Sequence, residues 1–211
     1  MVTSLYDLSV PTFLQTVRAV GAVLDRAARH CAEIHADAVT DANRGGKMAT
    51  YILIPGGWHG GWYFQSFAEA LRSRGHRAYA VTLTGLGERR HLLGAHVNLD
   101  THVQDVVQLL EVENLSEVIL LGHSYAGMVV SGVLDCASSR IAAAVYCDAY
   151  VPKDGQSCFD LANDFYRRLF LDNAAKDGFS VLPPSHLDPR ATPHPLVAAF
   201  DDLLDIALQF T

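Results

Sequence analysis

The feature that most constrains this chain is a serine, Ser124, set among small residues between two predicted regular elements. The run Gly122-His-Ser-Tyr-Ala-Gly127 follows the apolar segment Glu117–Leu121, which predicts a strand, and precedes residues 126–137, which predict a helix. Small residues let the backbone turn sharply, so the hydroxyl is presented above the carboxyl end of the strand, at the N-terminus of the helix. The pattern therefore predicts a nucleophilic serine.

Strands and helices alternate on both sides of this serine. The predicted strands are Ala49–Ile54, Arg77–Leu83, Glu117–Leu121 and Ile141–Cys147, and the predicted helices are 64–73, Thr101–Val112 and 126–137. This order indicates parallel βαβ units, so the predicted fold is α/β with a doubly wound, mostly parallel sheet. Continuous apolar runs such as Ala142–Val145 predict a sheet covered on both faces. Beyond Cys147 no strand is predicted: residues 157–172 are expected to be helical, the proline-rich segment 181–195 a loop, and Leu196–Phe210 an amphipathic helix.

A polar stretch with two adjacent glycines separates an N-terminal extension, residues 1–47, from the main domain, residues 48–211. Apolar residues recur at spacings of three and four over residues 10–36 and predict one long helix. The segments Ser4–Phe13 and Leu24–Ala28 resemble the opening helix of an uncharacterised family of DinB-like helical-bundle proteins. Only that helix is present, so none of the chemistry of that family is implied.

Composition excludes several classes of partner and cofactor. The formal net charge is −7 with 16 Lys and Arg residues and no basic run, which argues against nucleic acid. No stretch is apolar enough to span a membrane, and no signal-peptide pattern begins the chain. The cysteines lack metal-site or disulfide spacing, Cys136 and Cys147 are expected to be buried, and the cytoplasm is the expected location. We expect no metal and no other cofactor.

A second glycine-rich motif follows the first predicted strand, at Pro55-Gly-Gly-Trp-His-Gly-Gly-Trp62. Glycines allow a backbone N–H to approach a substrate oxygen closely, although a tight strand-to-helix turn would need them equally. Beside a nucleophilic serine, the motif predicts an oxyanion hole formed by the N–H groups of Gly57 and Tyr125. Ring side chains from the two motifs are expected to line the substrate pocket: Trp58, His59, Trp62, His123 and Tyr125.

Five stretches together resemble the α/β-hydrolase superfamily, and within it small bacterial esterase-like proteins related to plant hydroxynitrile lyases and salicylate- or jasmonate-methylester esterases. They are Pro55–Trp62, Thr82–Leu92, Asn98–Val103, Val118–Met128 and Val145–Pro152. The resemblance implies a serine hydrolase that acts on a small ester without a cofactor, with Ser124 as its nucleophile.

The same resemblance implies a catalytic acid and a histidine late in the chain. Here the family-like Thr192–Leu196 runs almost directly into residues 201–207, so the roughly 50 residues that should carry both groups are missing. The substitutes considered as base are His186 and His194, and Asp148 is either a substitute acid or a structural aspartate in its turn. The other histidines of this region, His91, His96 and His102, are expected at the surface or at helix caps.

Three functional hypotheses follow. The first is a carboxylesterase-type serine hydrolase, and the alternative is a catalytically impaired relic that acts as a binding or interaction protein. A hydroxynitrile-lyase-like lyase ranks third, because it needs a base just as much. Missing strands would also expose a sheet edge, so a homodimer through that edge or through the N-terminal helix is a further expectation.

Overall fold

The computed structural model describes residues 48–196. The chain separates into two units, Met1–Lys47 and Met48–Thr211, and all the described residues belong to the second. The helix predicted over residues 10–36 and nearly all of the helix predicted over Leu196–Phe210 lie outside the described residues.

The described part is built on a four-stranded parallel sheet with strand order β2-β1-β3-β4. Its strands are β1 (Thr50–Ile54), β2 (Arg77–Ala80), β3 (Val118–His123) and β4 (Ile141–Cys147). The α-helices are α1 (Gln65–Ser73), α2 (Leu99–Val112), α3 (Ala126–Ala137), α4 (Cys158–Leu161) and α5 (Asp164–Asp172). Short 3₁₀ turns lie at Gly61–Phe64, Gly87–Leu92 and Ser138–Arg140. The prediction of an α/β fold with a parallel sheet is confirmed.

The central strand β1 is covered on both faces, as its apolar sequence predicts. Ile52 and Ile54 belong to the core that includes α2 and α3. Tyr51 and Leu53 alternate with them and belong to a second core, which Leu71 of α1 completes. Burial on both faces is what a continuous apolar parallel strand requires.

Strand β4 departs from that prediction. Its residues Ala142, Ala143 and Val145 are exposed, and Cys136, in the helix that precedes it, is exposed as well. The reason is position: within the described residues β4 pairs only with β3 and is the edge strand of the sheet. A run of apolar letters cannot distinguish a central strand from an edge strand.

The prediction of no strand after Cys147 is wrong in one detail. Ser180–Val181 (β5) and His194–Pro195 (β6) form a short antiparallel ribbon, with Val181 opposite His194. Two-residue strands leave no periodic pattern in a sequence, so the proline-rich loop hid them. The ribbon matters because it carries His194.

The site is located by the strand order. The chain passes from β1 to β2 on one side of the sheet centre and later from β3 to β4 on the other side. Loops that leave adjacent strands in opposite directions open a crevice at the carboxyl ends of those strands. Here the crevice lies beyond Ile54 and His123, where the two motifs singled out in the sequence begin.

Candidate active site

Ser124 occupies a strained turn between β3 and α3. Its φ angle is +53°, in the left-handed region that a non-glycine residue adopts at a cost of roughly 1–3 kcal/mol. The segment after β4 holds the turn: the Ser124 N–H donates to the Asp148 carbonyl oxygen, and the Tyr150 N–H donates to the Ser124 carbonyl oxygen, each at 3.1 Å. The backbone therefore has the sharp strand-to-helix geometry expected from the small residues around the serine.

Two glycines of the motif are required by close packing. A Cβ on Gly122 would lie 2.6 Å from Cγ2 of Val130, and a Cβ on Gly127 would overlap the carbonyl oxygen of Tyr150. Side chains at these positions would push α3 away from β3 and from the segment after β4. The spacing of small residues in the sequence thus records how closely the helix approaches the sheet.

The glycine-rich loop after β1 packs directly against Ser124. A Cβ on Gly56 would lie 2.9 Å from the Cβ of Ser124. The next two residues of the loop and Ser124 share a small cavity of about 30 Å³, a volume for one or two water molecules. Its lining residues are Gly57, Trp58, Ser124, Tyr125, Tyr150, Tyr166, Phe170 and His194.

Aromatic residues from a distant part of the chain close this cavity. The indole of Trp58 stacks on the ring of Phe170, with centroids 5.7 Å apart, and its Nε1–H donates to the Val181 carbonyl oxygen at 3.0 Å. Tyr166 and Phe170 both come from α5. Neither was expected at the site, because nothing in the amphipathic pattern of α5 indicates where that helix packs.

His194 is buried at the wall of the cavity. Its ring lies edge-on against Tyr125, with centroids 4.5 Å apart, and 6.1 Å from the ring of Trp58. Neither ring nitrogen has a hydrogen-bond partner among the described residues. Burial lowers the pKa of His194 well below 6.5, and the nearby His102 and His59 lower that pKa further. The imidazole is therefore neutral near pH 7.

The segment before His194 is attached to the glycine-rich loop. The Thr192 N–H donates to the Trp58 carbonyl oxygen at 2.9 Å, and the Thr192 hydroxyl accepts from the Gly87 N–H at 2.9 Å. A swinging histidine on a flexible loop was expected here, whereas the structure holds this one in place. His186, the other histidine considered as a base, is exposed and does not line the cavity.

His102 corrects a prediction. It was expected at the surface or at a helix cap, yet it is fully buried inside α2. Its Nε2–H donates to the Thr84 carbonyl oxygen and its Nδ1 accepts from the Tyr125 hydroxyl, both at 2.9 Å. Burial lowers the pKa of His102 to about 4. A signal for this position existed, because His102 precedes Val106 by one helical turn and so lies on the apolar stripe of the helix.

Three residues expected in the pocket form a layer beside it instead. His59 donates from Nδ1 to the Gly57 carbonyl oxygen at 2.6 Å and thereby braces the glycine-rich loop. The ring of Trp62 lies under the Arg190 guanidinium, whose carbon is 4.1 Å from the ring centroid. His123 stacks on the ring of Tyr63. None of these three side chains lines the cavity.

Asp148 supports the serine through its backbone. Its φ angle is +46° and its carbonyl oxygen accepts from the Ser124 N–H. The residue is exposed, and within the described part of the chain no hydrogen bond joins its carboxylate to His194. The geometry fits the structural alternative considered for this aspartate.

Over residues 48–196, no group of His, Cys, Asp or Glu side chains is placed to hold a metal ion. None of the described helices combines the length and the apolar character that a membrane crossing requires.

Relatives of known activity are esterases. A carbendazim hydrolyzing esterase from Nocardioides sp. is 49% identical over 114 residues, which are 54% of this chain and 47% of that protein. Methylesterase 10 from Arabidopsis thaliana is 24% identical over 124 residues, 58% of this chain and 45% of that protein. The chain thus spans about half the length of the curated relatives it matches.

A solved structure with the same fold is that of an extracellular alpha/beta-hydrolase from a Paenibacillus species, described as sharing structural and functional homology with tobacco salicylic acid binding protein 2. It superposes with a TM-score of 0.64 at 26% identity, over 72% of this chain and 69% of that one. The family model described as alpha/beta hydrolase family matches residues 51–210. With the strand order and the serine turn already described, these matches show that the chain belongs to the alpha/beta hydrolase family, with esterases among its relatives.

Proposed function

We propose that this protein is a carboxylesterase-type serine hydrolase that acts on a small ester, with Ser124 as the nucleophile. The observation that carries the proposal is the shared cavity: Ser124, Gly57 and Tyr125 all line it, and Ser124 has the strained backbone of a nucleophile turn. The N–H groups of Gly57 and Tyr125 would hold the oxyanion, and the Tyr125 N–H lies at the N-terminus of α3, which favours negative charge.

The proposed reaction has two halves. The Ser124 Oγ attacks the ester carbonyl carbon and gives its proton to a base, and the carbonyl oxygen becomes the oxyanion held by the two N–H groups. Collapse of this intermediate expels the alcohol, which takes the proton from the base, and leaves an acyl group on Ser124. A water molecule then attacks the acyl carbon, releases the carboxylic acid and restores the serine hydroxyl.

For the base we propose His194. It lines the cavity with Ser124, its ring nitrogens are not engaged by the described residues, and its lowered pKa keeps it neutral and able to accept a proton. Asp148 remains a candidate acid on sequence grounds, but the mechanism is drawn without it because its exposed carboxylate does not contact His194. A base without a carboxylate partner stabilises its protonated form poorly, so we expect a slow enzyme.

The walls of the cavity favour a small acyl or aryl group. Trp58 and Phe170 present stacked rings, and the volume of about 30 Å³ admits few heavy atoms without movement of α5. The relatives are named for a carbendazim hydrolysing activity and for methyl ester hydrolysis, so activated esters and carbamate esters with a small group are the first substrates to test. No cofactor enters the proposed reaction.

The test is hydrolysis of p-nitrophenyl acetate and p-nitrophenyl butyrate by the wild type and by Ser124→Ala. We expect turnover in the wild type and a loss of about 10³-fold or more in the variant, because removal of a nucleophile abolishes the acyl-enzyme route. Equal turnover in both proteins would overturn the proposal.

One observation favours the second candidate, a catalytically impaired relic that binds ligands: no described carboxylate contacts His194. That function is supported if aryl ester analogues bind with the same Kd to the wild type and to Ser124→Ala while turnover is equal in both.

We also propose a homodimer in which the exposed edge of β4 pairs with the same edge of a second copy. Val145 has 40% of its side chain exposed in the middle of that strand, and an open apolar edge favours strand pairing. Sedimentation of the wild type and of Val145→Lys tests this, with a dimer in the first and a monomer in the second. A wild type that sediments as a monomer at all concentrations contradicts it.

A further inference from the structure

We propose that His102 is a positioning residue for this reaction. Through its hydrogen bond to the Tyr125 hydroxyl it fixes both the backbone N–H that receives the oxyanion and the ring that supports His194. The inference rests on the proposed function, because it requires Ser124 to be the nucleophile.

His102 is itself immobilised from the side opposite Tyr125. Its Nε2–H donates to the carbonyl oxygen of Thr84, in the loop after β2. Thr84 in turn donates from its N–H and its hydroxyl to the Asp105 carboxylate, at 2.6 and 2.8 Å. Arg89 pairs with the same carboxylate at 3.2 Å. The imidazole therefore joins α2 to the loop after β2 and has no freedom to rotate.

The direction of the hydrogen bond to Tyr125 is determined by this arrangement. A carbonyl oxygen can only accept, so the proton on His102 resides on Nε2 and Nδ1 must accept from the Tyr125 hydroxyl. Burial lowers the pKa of His102 to about 4, so the ring is neutral across the range in which an esterase operates. The acceptor is thus always present.

Tyr125 transmits the constraint to the reacting groups. It follows Ser124 directly, begins α3 as its N-cap, and is buried with only 3% of its surface exposed. The face of His194 lies against its ring at a centroid distance of 4.5 Å. With the far end of the ring held by His102, the backbone N–H at one end and the imidazole beside it keep a common frame. A displacement of about 1 Å at such a site can cost about 100-fold in rate.

Substitutions at both ends of this hydrogen bond test the inference. Tyr125→Phe removes the hydroxyl and keeps the ring and the backbone N–H. His102→Gln can still donate to Thr84 but offers no acceptor near Nδ1, whereas His102→Asn places an amide oxygen where Nδ1 was. We expect kcat for p-nitrophenyl acetate to fall about tenfold in Tyr125→Phe and His102→Gln, with KM changed less than twofold, and His102→Asn to recover most of the loss.

A control separates positioning from loss of stability. Leu110→Val lies two turns further along the same face of α2, is equally buried and touches none of these hydrogen bonds. Its kcat should remain within twofold of the wild type at a comparable loss of stability. The rate of Ser124 labelling by a fluorophosphonate should fall in parallel with kcat in Tyr125→Phe and His102→Gln.

The inference is overturned if Tyr125→Phe retains the kcat of the wild type, or if Leu110→Val loses as much kcat as His102→Gln. Should His102→Gln fail to fold, Tyr125→Phe decides alone, because it preserves the volume of the ring. Failure of the proposed function gives a different result: the wild type then turns over no faster than Ser124→Ala, and both proposals fall together.

Discussion

Two buried histidines lie on either side of Tyr125, with ring centroids 6.0 Å apart, and their surroundings differ in one respect. Burial lowers the pKa of both. Both nitrogens of His102 are hydrogen-bonded within the protein, whereas neither nitrogen of His194 has a partner among the described residues. Because an unpaired buried polar group destabilises a fold, its persistence beside a reactive side chain points to a ligand-facing role. A histidine with both nitrogens engaged can only hold structure in place.

The segments that carry the two histidines differ in the same sense. His102 lies on a helix of 14 residues that begins with a capping box at Asn98 and packs against α3. His194 lies on a strand of two residues, held by a ribbon partner and by the hydrogen bond from Thr192 to Trp58. The firmly built side supports the serine turn, and the lightly built side supplies the group that must exchange protons.

The largest expected effect concerns His194. His194→Gln should lower kcat for p-nitrophenyl acetate by about 10³-fold, in the middle of the range for loss of a general base. The matched control is His186→Gln, an exposed histidine on the same proline-rich segment, which should leave kcat within twofold of the wild type. A similar kcat for the two variants would remove the distinction between His194 and a merely structural histidine.

The next effect is on stability against pH. The unfolded chain protonates His102 near pH 6.5 and the folded protein only near pH 4, so the unfolded state binds more protons between these values. The contribution of His102 is complete above pH 6.5 and is lost as the pH falls toward 4, by about 3 kcal/mol. His194 acts in the same direction.

Urea unfolding at pH 7, 5.5 and 4.5 checks this expectation. His102→Asn should show a smaller fall in the free energy of unfolding between pH 7 and 4.5 than the wild type. An identical fall in the two proteins would mean that His102 is accessible to protons in the folded state, in conflict with its hydrogen bonds.

The smallest effect lies in the pH dependence of the rate. His194 must be neutral to accept the serine proton, and its folded pKa is well below 6.5, so kcat/KM should be retained as the pH falls through 6.5. Its decline should begin only at more acid pH. A half-maximal kcat/KM at pH 6.5 or above would identify a different, solvent-exposed base.

Much of the fold follows from local pattern. β3 and α3 were predicted within two residues, because small residues at 122, 126 and 127 demand a sharp turn and close packing wherever they occur. The burial of β4 was mispredicted, because burial depends on what lies beyond the strand and not on its letters.

The site divides in the same way. Ser124, Gly57, Trp58 and Tyr125 were expected together and do share a cavity. The contributions of Phe170 and Tyr166 depend on how α5 packs, for which no local signal exists. His102 could have been found, since the apolar stripe of its helix extends to its position, but a histidine on such a stripe does not reveal its hydrogen-bond partner.

The most direct test of this account is covalent labelling of the serine. Intact-mass analysis after treatment with a fluorophosphonate should show one adduct on the wild type, mapped by peptide analysis to Ser124, and none on Ser124→Ala. The adduct should form far more slowly on His194→Gln than on His186→Gln. Equal modification of the wild type and of Ser124→Ala would contradict the assignment of Ser124 as the nucleophile.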